Sequence, residues 1–298
     1  MRWIWLLFLF AAVPVGAEPT GELPSYVLQV PEAVDALLIA HTDSGELVRF
    51  ERGAHGLRQA VRQPMSIGLN GVGKQRTGDQ RTPLGVYFIT ETLPTTNLHE
   101  KYGPVAFPLD YPNAWDQVEE RTGSGIWIHG VTPNSGPRPA RDTDGCIALP
   151  NAELLSLQPY LRPLTTPVIV TEGGDPISPA AAEHVREQLL EAMENWSASF
   201  RNGDWHTYVQ FYDSAFTSLG MNRSDWLSYR LQSHADRAIS DVRLSDVLLI
   251  KDPEAENLYL ARFQQTIVVG GRELTTIKRL YWRKDAEGRL RILTEDNG

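Results

Sequence analysis

The stretch Gly125–Leu149, GIWIHGVTPNSGPRPARDTDGCIAL, contains the only cysteine of a 298-residue chain. It begins with a short β-branched and aromatic run, Gly125–His129, continues through a loop rich in Gly and Pro, and returns to an apolar run at Cys146. Short runs of this kind, bounded by Gly and Pro, are typical of strands. The stretch therefore predicts a β-rich domain in which one strand ends at His129 and the loop brings Cys146 back beside it.

Outward from this stretch, the first half of the chain consists of short apolar runs separated by turn residues. The runs are β-branched or aromatic, which indicates strands. They are Ala36–Ala40, Glu46–Glu51, Gly85–Thr90, Gly125–His129 and a closing run at Thr166–Thr171. A short helix is predicted at Asn151–Leu157, with Asn151 as its N-cap. We therefore predict one mostly β domain over 31–171, preceded by a lead-in at 18–30.

The pattern changes after the breaker cluster Glu172–Pro176, which lies in the predicted linker over 172–180. Ser178 and Pro179 form an N-cap and first-turn pair. Apolar residues then recur at steps of three and four and predict one buried helical face, at Val185, Leu189, Met193, Trp196 and Phe200. Further helices are predicted at Trp205–Tyr212 and Ser224–Ser233, and strands at 242–250, 257–269, 273–284 and 289–294. The second domain, 181–298, is predicted to be α+β with a core of its own.

The first 17 residues have the features of a secretory signal peptide. Arg2 precedes an apolar run from Trp3 to Val13, and Val15-Gly16-Ala17 precedes the predicted cleavage site. The run is too short to span a bilayer, although an uncleaved membrane anchor is the alternative interpretation. We therefore expect a periplasmic protein with no membrane span after cleavage. Its net charge of −9 argues against a nucleic-acid partner, which requires clustered positive charge.

Cys146 and His129 are candidates for a catalytic pair. The thiolate is the nucleophilic form of cysteine, and an adjacent imidazole can remove the thiol proton for covalent acyl transfer. Gly145 permits a tight turn and lets nearby backbone N–H groups point toward a developing oxyanion. The alternative is that Cys146 is a small buried apolar residue and His129 a structural one. One cysteine and scattered histidines lack zinc-ligand spacing, so no metal is expected.

Two motifs bear on this choice. Ile128-His129-Gly130, followed by Thr143-Asp144-Gly145-Cys146-Ile147, resembles the active-site motif of the YkuD-type L,D-transpeptidases, and Arg81–Ile89 is similar to an upstream strand of that family. The resemblance implies a YkuD-like β-sandwich with short helices, with Cys146 as nucleophile and His129 as base. It also implies that Gly145, Thr143 and Gly130 support the oxyanion site, and that no cofactor is needed.

The sequence departs from the common pattern of the family at two positions. Asp144 stands where many members have a histidine, and Ala148 where many have arginine or asparagine. A cation at the second position would help to hold a substrate carboxylate, so its absence keeps hydrolysis open. Arg138 and Arg141 are candidates to replace it, because a guanidinium binds a carboxylate through two hydrogen bonds. These two arginines and Asp144 are the predicted substrate-binding residues, and the alternative is that the arginines are solvated or paired with neighbouring aspartates.

The second domain resembles the nuclear-transport-factor-2-like (NTF2-like) fold. The residues that carry this resemblance are Trp196, Phe200–Trp205, Tyr208, Phe263–Gln265, Lys278–Trp282 and Leu290–Leu293. The resemblance implies a cone-shaped α+β domain, in which helices close a curved sheet. Its aromatic residues are expected to be mostly core, because they carry a large apolar surface, although the cone could also hold a ligand.

The expected function is that of an exported cysteine acyltransferase acting on peptidoglycan. The family resemblance supplies the substrate, a tetrapeptide stem that ends in D-alanine, and the acyl group would pass to an amine of another stem or to a lipoprotein lysine. Two other functions stay open. In a hydrolase water would accept the acyl group, and a non-catalytic scaffold would bind the cell wall, with a lipoprotein or other cell-wall protein as candidate partner of the second domain.

Overall fold

The computed structural model describes residues 21–235 and 239–298. The predicted signal peptide at 1–17 lies outside these ranges. The described chain contains a mostly β domain followed by an α+β domain. The fold class expected from the sequence is therefore confirmed.

The described part of the lead-in and the first domain together contain short strands and two short helices. The strands are β1 Val27–Gln29, β2 Ala36–His41, β3 Glu46–Gly53, β4 Gly56–Pro64, β5 Ile67–Gly68, β6 Gly85–Phe88, β7 Leu93–Pro94, β8 Val105–Pro108, β9 Trp127–His129, β10 Arg141–Thr143, β11 Ile147–Ala148 and β12 Pro167–Thr171. The helices are α1 Ala114–Val118 and α2 Asn151–Leu157. The strands predicted around residues 36, 46, 85, 125 and 166 are all present.

Two sheets of this domain enclose its core. A five-stranded sheet has the order β4-β3-β2-β12-β6, and a four-stranded sheet has the order β11-β9-β8-β7. The apolar cluster that joins them includes Leu38, Leu47 and Tyr87 from the first sheet and Phe107 and Ile128 from the second, each at most 1% exposed. Burial of these side chains fixes the position of β9, the strand that carries His129.

The second domain places helices against a curved antiparallel sheet. Its helices are α3 Pro179–Asn202, α4 Trp205–Tyr208 and α5 Arg223–Ala235. Its strands are β13 Thr217–Ser218, β14 Met221–Asn222, β15 Ile239–Lys251, β16 Leu258–Val269, β17 Arg272–Lys284 and β18 Leu290–Asp296. The main sheet has the order β1-β15-β16-β17-β18. The four strands predicted at 242–250, 257–269, 273–284 and 289–294 are present, and each pairs antiparallel with the next.

The long helix α3 begins and ends where the sequence predicts. The Ser178 hydroxyl accepts the Ala181 N–H at 3.3 Å, and Pro179 occupies the first turn. Gly203 ends the helix in the left-handed conformation, with φ +67°, which favours glycine. The predicted apolar face, at Val185, Leu189, Met193, Trp196 and Phe200, is buried against the sheet. The 3.6-residue period of the sequence therefore identified the buried face of this helix.

Two local predictions are wrong. Pro150, not Asn151, is the N-cap of α2. The Asn151 amide instead bonds to Val131, accepting its N–H at 2.8 Å and donating to its carbonyl at 3.0 Å. The helix predicted at Trp205–Tyr212 is α4 followed by a short 3-10 turn at Val209–Phe211. The first prediction fails because the Asn151 side chain, which local propensity assigns to the cap, bonds instead to Val131, 20 residues earlier.

The lead-in contributes a strand to the second domain. β1 pairs antiparallel with β15, with Val27 opposite Ile250. The Tyr26 carbonyl also accepts the Lys251 N–H at 2.8 Å. The chain therefore starts on the sheet of the second domain before it enters the first.

The two domains share part of their core. One apolar cluster combines Leu37, Ile39 and Phe50 from the outer face of the first sheet with Leu248 and Tyr281 from the second domain. All five are at most 3% exposed. Each domain also has a cluster of its own. The expectation of separate cores is therefore correct only in part, because the first sheet is apolar on both faces.

Helices in the described ranges are all too short or too polar to cross a membrane.

Candidate active site

The sheet brings His129 and Cys146 to adjacent strands. β9 and β11 pair in parallel, with Ile128 opposite Ile147 and His129 opposite Ala148. Cys146 directly precedes β11, and residues two apart on a strand point to the same face. The two residues predicted as a pair are therefore placed on the same face of neighbouring strands, and β11 is the edge strand of its sheet.

His129 is buried and has a defined tautomer. It is 4% exposed, and its Nδ1 lies 2.6 Å from the Gly130 carbonyl oxygen. A carbonyl only accepts, so Nδ1 carries the proton and Nε2 has a free lone pair. The pKa of His129 is lowered from 6.5 to about 4, mainly because the ring is buried. The hydrogen bond to the Gly130 carbonyl has the opposite, smaller effect and raises the pKa. The ring is therefore a neutral base near pH 7, and the edge of Tyr102 packs on it with ring centroids 5.1 Å apart.

The Cys146 thiol is protonated in this conformation. It is 8% exposed, and its Sγ donates to the Gly125 carbonyl at 3.4 Å. Burial raises its pKa, whereas a hydrogen bond from the Trp127 backbone lowers it. Asp144 also raises the pKa, and Lys101 lowers it. A neutral thiol beside a neutral imidazole means that the proton must move when a substrate is attacked, as in general-base activation.

We expect the alkylation rate of Cys146 to show no plateau between pH 5 and pH 8. A neutral pair forms thiolate only as the pH rises toward the raised thiol pKa, so the rate should keep increasing above about 8.5, the ordinary pKa of cysteine. The measurement is the rate of labelling by iodoacetamide across pH, with unfolded protein as the reference. A plateau in the acidic range would instead show a thiolate–imidazolium pair at rest.

A network of hydroxyl hydrogen bonds shapes the turn before the cysteine. The Thr143 hydroxyl donates to the Cys146 carbonyl at 2.7 Å and accepts the Gly145 N–H at 3.1 Å. Gly145 has φ +125°, and a Cβ there would lie 2.6 Å from the Arg81 carbonyl oxygen. Thr82, which is fully buried, donates its hydroxyl to the Gly145 carbonyl at 3.0 Å. Thr82, in the upstream motif, therefore fixes the turn before Cys146 through its hydrogen bond to the Gly145 carbonyl.

Replacing Thr82 with valine should impair catalysis through the position of Cys146. The substitution keeps the shape but leaves the Gly145 carbonyl and the Gly68 N–H, which donates to the Thr82 hydroxyl at 2.9 Å, without their partner. We expect the free energy of unfolding to fall by about 1–3 kcal/mol. We also expect kcat to fall, with a smaller change in KM. Thr90→Val, which removes a hydroxyl bond to Pro108 elsewhere, is the matched control. Equal effects of the two substitutions on kcat would contradict this role.

Gly130 allows the chain after His129 to pass close to two other segments. A Cβ at Gly130 would lie 2.2 Å from the Asn151 Oδ1 and 3.0 Å from the Gly103 Cα. The Gly130 N–H donates to the Tyr102 carbonyl at 3.0 Å. Gly130 is therefore a packing requirement of the strand end that positions the imidazole.

The predicted substrate-binding residues have different surroundings. Arg138 is held by Asp142, through Nε to Oδ2 at 2.7 Å and Nη2 to the carbonyl at 2.7 Å. Arg141 is exposed, and its guanidinium carbon lies 3.4 Å from where a Cβ on Gly71 would be. Asp144 is exposed and faces Lys101 at 3.6 Å. Of the two arginines, only Arg138 acts on the pKa of the catalytic pair, since its charge contributes to lowering that of His129.

A cavity of about 390 Å³ is lined by Ala148, at the position where many family members have arginine or asparagine, and neither His129 nor Cys146 lines it. It is lined by Pro64, Met65, Ser66, Val131, Ser135, Gly136, Pro137, Arg138, Ala148, Leu149 and Pro150. Its wall is mostly apolar, and Arg138 is the one ionic side chain among these residues. The Ala148 side chain is small and therefore leaves space in this cavity. Arg138 lines the same space.

Several residues that shape the site were not predicted. Thr82 lies in the upstream motif, but its hydrogen bond to Gly145 has no signal in local spacing. Lys101 and Tyr102 come from a 3-10 turn at Glu100–Tyr102, which no motif marks. Within the described ranges, no group of three or more His, Cys, Asp or Glu side chains could hold a metal ion.

Two family matches account for the fold of the chain. Residues 36–170 match the L,D-transpeptidase catalytic domain of the YkuD family, and this part of the chain is such a domain. Residues 188–296 match the Cds6 C-terminal NTF2-like domain. These matches confirm the resemblance to the YkuD family and the NTF2-like fold of the second domain.

Two solved structures are similar over nearly the whole chain. Bd1075 of Bdellovibrio bacteriovorus shares 26% identity with a TM-score of 0.74, covering 92% of this chain and 97% of that one. The helical cell shape determining protein Pgp2 of Campylobacter jejuni shares 26% identity with a TM-score of 0.72, covering 88% and 91%. A search of curated protein sequences gives no match. The two-domain arrangement is therefore shared with these proteins.

Proposed function

We propose that the protein is an L,D-transpeptidase that acts on peptidoglycan stem peptides through a Cys146 acyl-enzyme. The observation that carries this is the lone thiol directly before a strand that neighbours the strand of an imidazole with a free Nε2, within a match to the YkuD catalytic domain. The predicted export of residues 1–17 would place the enzyme in the periplasm, where peptidoglycan lies. Because Pgp2 is described as determining helical cell shape, we propose a role in cell shape here as well.

The reaction begins when the thiol turns from the Gly125 carbonyl toward His129. Nε2 takes the proton from Sγ, and the sulfur attacks the carbonyl of the third stem residue. The carbon–nitrogen bond to D-alanine then breaks, and His129 returns the proton to the departing amine. The Gly145 N–H is already bonded to Thr143, so we assign the backbone N–H of Cys146 to the oxyanion. Gly145 and Thr143 then act by shaping the turn.

The acyl group leaves the enzyme when an acceptor attacks the thioester. An amine of a second stem would give a 3–3 crosslink, and a lysine of a lipoprotein would attach that protein to the wall. Hydrolysis is the second candidate, with water as the acceptor. It is favoured by Ala148, which is buried at a position where many family members carry a cation.

Incubation of purified protein with defined muropeptides tests the proposal. Mass analysis should show crosslinked dimers that lack one D-alanine, and Cys146→Ala should give none. Stems shortened by D-alanine without dimers would establish the hydrolase instead. Unchanged muropeptides that nevertheless bind the protein would indicate the non-catalytic scaffold.

Arg138 is the residue that we expect to hold a stem carboxylate. Its bonds to Asp142 fix the guanidinium, so little side-chain entropy is lost on binding. Arg138→Ala should lower kcat/KM on stem peptides by about ten- to a hundred-fold, the equivalent of ~1.5–3 kcal/mol for a charged hydrogen bond. Arg141→Ala is the matched control and should change kcat/KM little. The reverse order of effects would assign the carboxylate to Arg141.

A further inference from the structure

A second cavity, of about 290 Å³, lies between the two domains. The first domain contributes Phe88, Asp110 and Leu164 to its lining, and the second contributes Arg262, Arg279 and Asp296. None of these residues belongs to the catalytic pair or lines the cavity at Ala148. The cavity between the domains is therefore a separate feature.

Two arginines of the second domain line this cavity, and only one of them forms ion pairs with carboxylates. Arg262 and Arg279 lie directly opposite each other on β16 and β17, and like charges in that position repel. Arg279 is neutralised on both sides, by Asp110 and by a two-bond contact with Asp296 at 2.6 and 2.8 Å. One member of the pair is thus fully matched by carboxylates.

Arg262 has no such partner. Arg262 is 5% exposed, and in the described ranges its guanidinium hydrogen-bonds only to the Leu164 carbonyl, through Nη2. No carboxylate lies within ion-pair distance of it in those ranges, and the nearby Asp246 accepts from Gln264 instead. Burial and the neighbouring Arg279 lower the pKa of Arg262, and the charge of Asp246 opposes them. A buried charge without an ion-pair partner is destabilising, and this one lines a cavity.

We propose that this cavity binds the carboxylate of a small organic acid, with Arg262 as its anchor. Nε and Nη1 of Arg262 have no acceptor in the described part of the chain, which leaves donors for a carboxylate. Asp110 and Asp296 line the same cavity, so a dianion such as phosphate would meet repulsion that a monoanion meets less. Phe88, whose ring lies 5.3 Å from the Arg262 guanidinium, supplies an apolar wall for the body of the acid.

The occupant would contact both domains at once. Phe88 and Leu164 belong to the first domain, and Arg262 belongs to the second. A ligand that binds this folded arrangement and not the separated domains stabilises it in proportion to its occupancy. The site is therefore expected to couple the concentration of a small acid to the packing of the two domains.

Calorimetry with N-acetylglycine as the probe tests the site. Binding should be saturable in the full chain and in Cys146→Ala, so that it does not depend on the thiol. N-acetylglycinamide, which lacks only the carboxylate, should bind at least about tenfold more weakly, since a charged hydrogen bond contributes ~1.5–3 kcal/mol. The melting temperature should rise with N-acetylglycine and not with its amide.

Substitutions assign the binding to Arg262. Arg262→Gln should abolish the calorimetric signal, whereas Arg243→Gln, at an exposed arginine on β15, should leave it unchanged. If Arg262→Gln does not fold, Arg262→Lys should fold and bind more weakly. Equal binding of acid and amide, no binding by the full chain, or full binding by Arg262→Gln would overturn the proposal. Tighter binding of inorganic phosphate than of N-acetylglycine would overturn the assignment to a carboxylate.

Discussion

Replacing His129 with alanine should slow acylation of Cys146 by a carbapenem by about 10²–10⁴-fold at pH 7, the usual contribution of a general base. The reason is that the thiol is protonated at rest, since burial raises its pKa. In the described part of the chain the sulfur hydrogen-bonds to the Gly125 carbonyl, which cannot take the proton, so we expect the Nε2 of His129 to be the base. The measurement is the rate of adduct formation by intact-protein mass spectrometry.

His41→Ala is the matched control for this substitution. His41 is a partly buried histidine at the end of β2, and burial lowers its pKa as it does for His129. Its loss should leave the acylation rate unchanged. The defect of His129→Ala should also shrink as the pH rises, because thiolate then forms without a base. A defect that is constant across pH would mean that His129 serves the fold and not the proton transfer.

A chain that ends after Gly174 should fail to fold. Its first sheet would expose a face whose members, Leu37, Ile39, Phe50 and Val86 among them, are at most 3% exposed in the full chain. Each such side chain contributes about 1.5–3 kcal/mol when fully buried. Four of them together approach the whole stability of an ordinary domain, about 5–15 kcal/mol. Circular dichroism and solubility of the shortened chain are the measurements.

A full chain cut once near Gly174 is the control for this truncation. It exposes the same chain ends but retains the second domain, so it should stay folded as a two-piece complex. If the shortened chain instead unfolds cooperatively at the temperature of the full chain, the shared cluster contributes little. The first domain would then be independent, as the sequence alone suggested.

The sequence predicts most elements because their signals are local. Ser178, Pro179 and Gly203 mark the ends of α3 by capping chemistry, and its apolar period gives the buried face. The interface between the domains has a weaker signal, in the run Ala36–Ala40, which is apolar at every position. Such a run indicates a strand buried on both faces, so it could have pointed to a second packing partner. The register of β1 on β15 has no such signal.

The candidate pair is predictable for the same reason, and the residues that support it are not. His129 and Cys146 stand in a motif with fixed spacing, whereas Thr82 acts through a hydrogen bond to Gly145 from 63 residues away. Asn151 illustrates the converse error, since its local cap signal is overridden by a contact with Val131. Contacts through space between distant segments depend on the packing of the whole domain, which one sequence does not display.

The most direct test of the account is the mass of the intact protein, acid-quenched during turnover of a stem tetrapeptide. We predict a covalent adduct equal to the tripeptide acyl group, with release of D-alanine, mapped to Cys146 by peptide analysis. Cys146→Ala should show neither adduct nor D-alanine. Release of D-alanine by Cys146→Ala, an adduct on any other residue, or the absence of both adduct and product in the unsubstituted protein would contradict a cysteine acyl-enzyme.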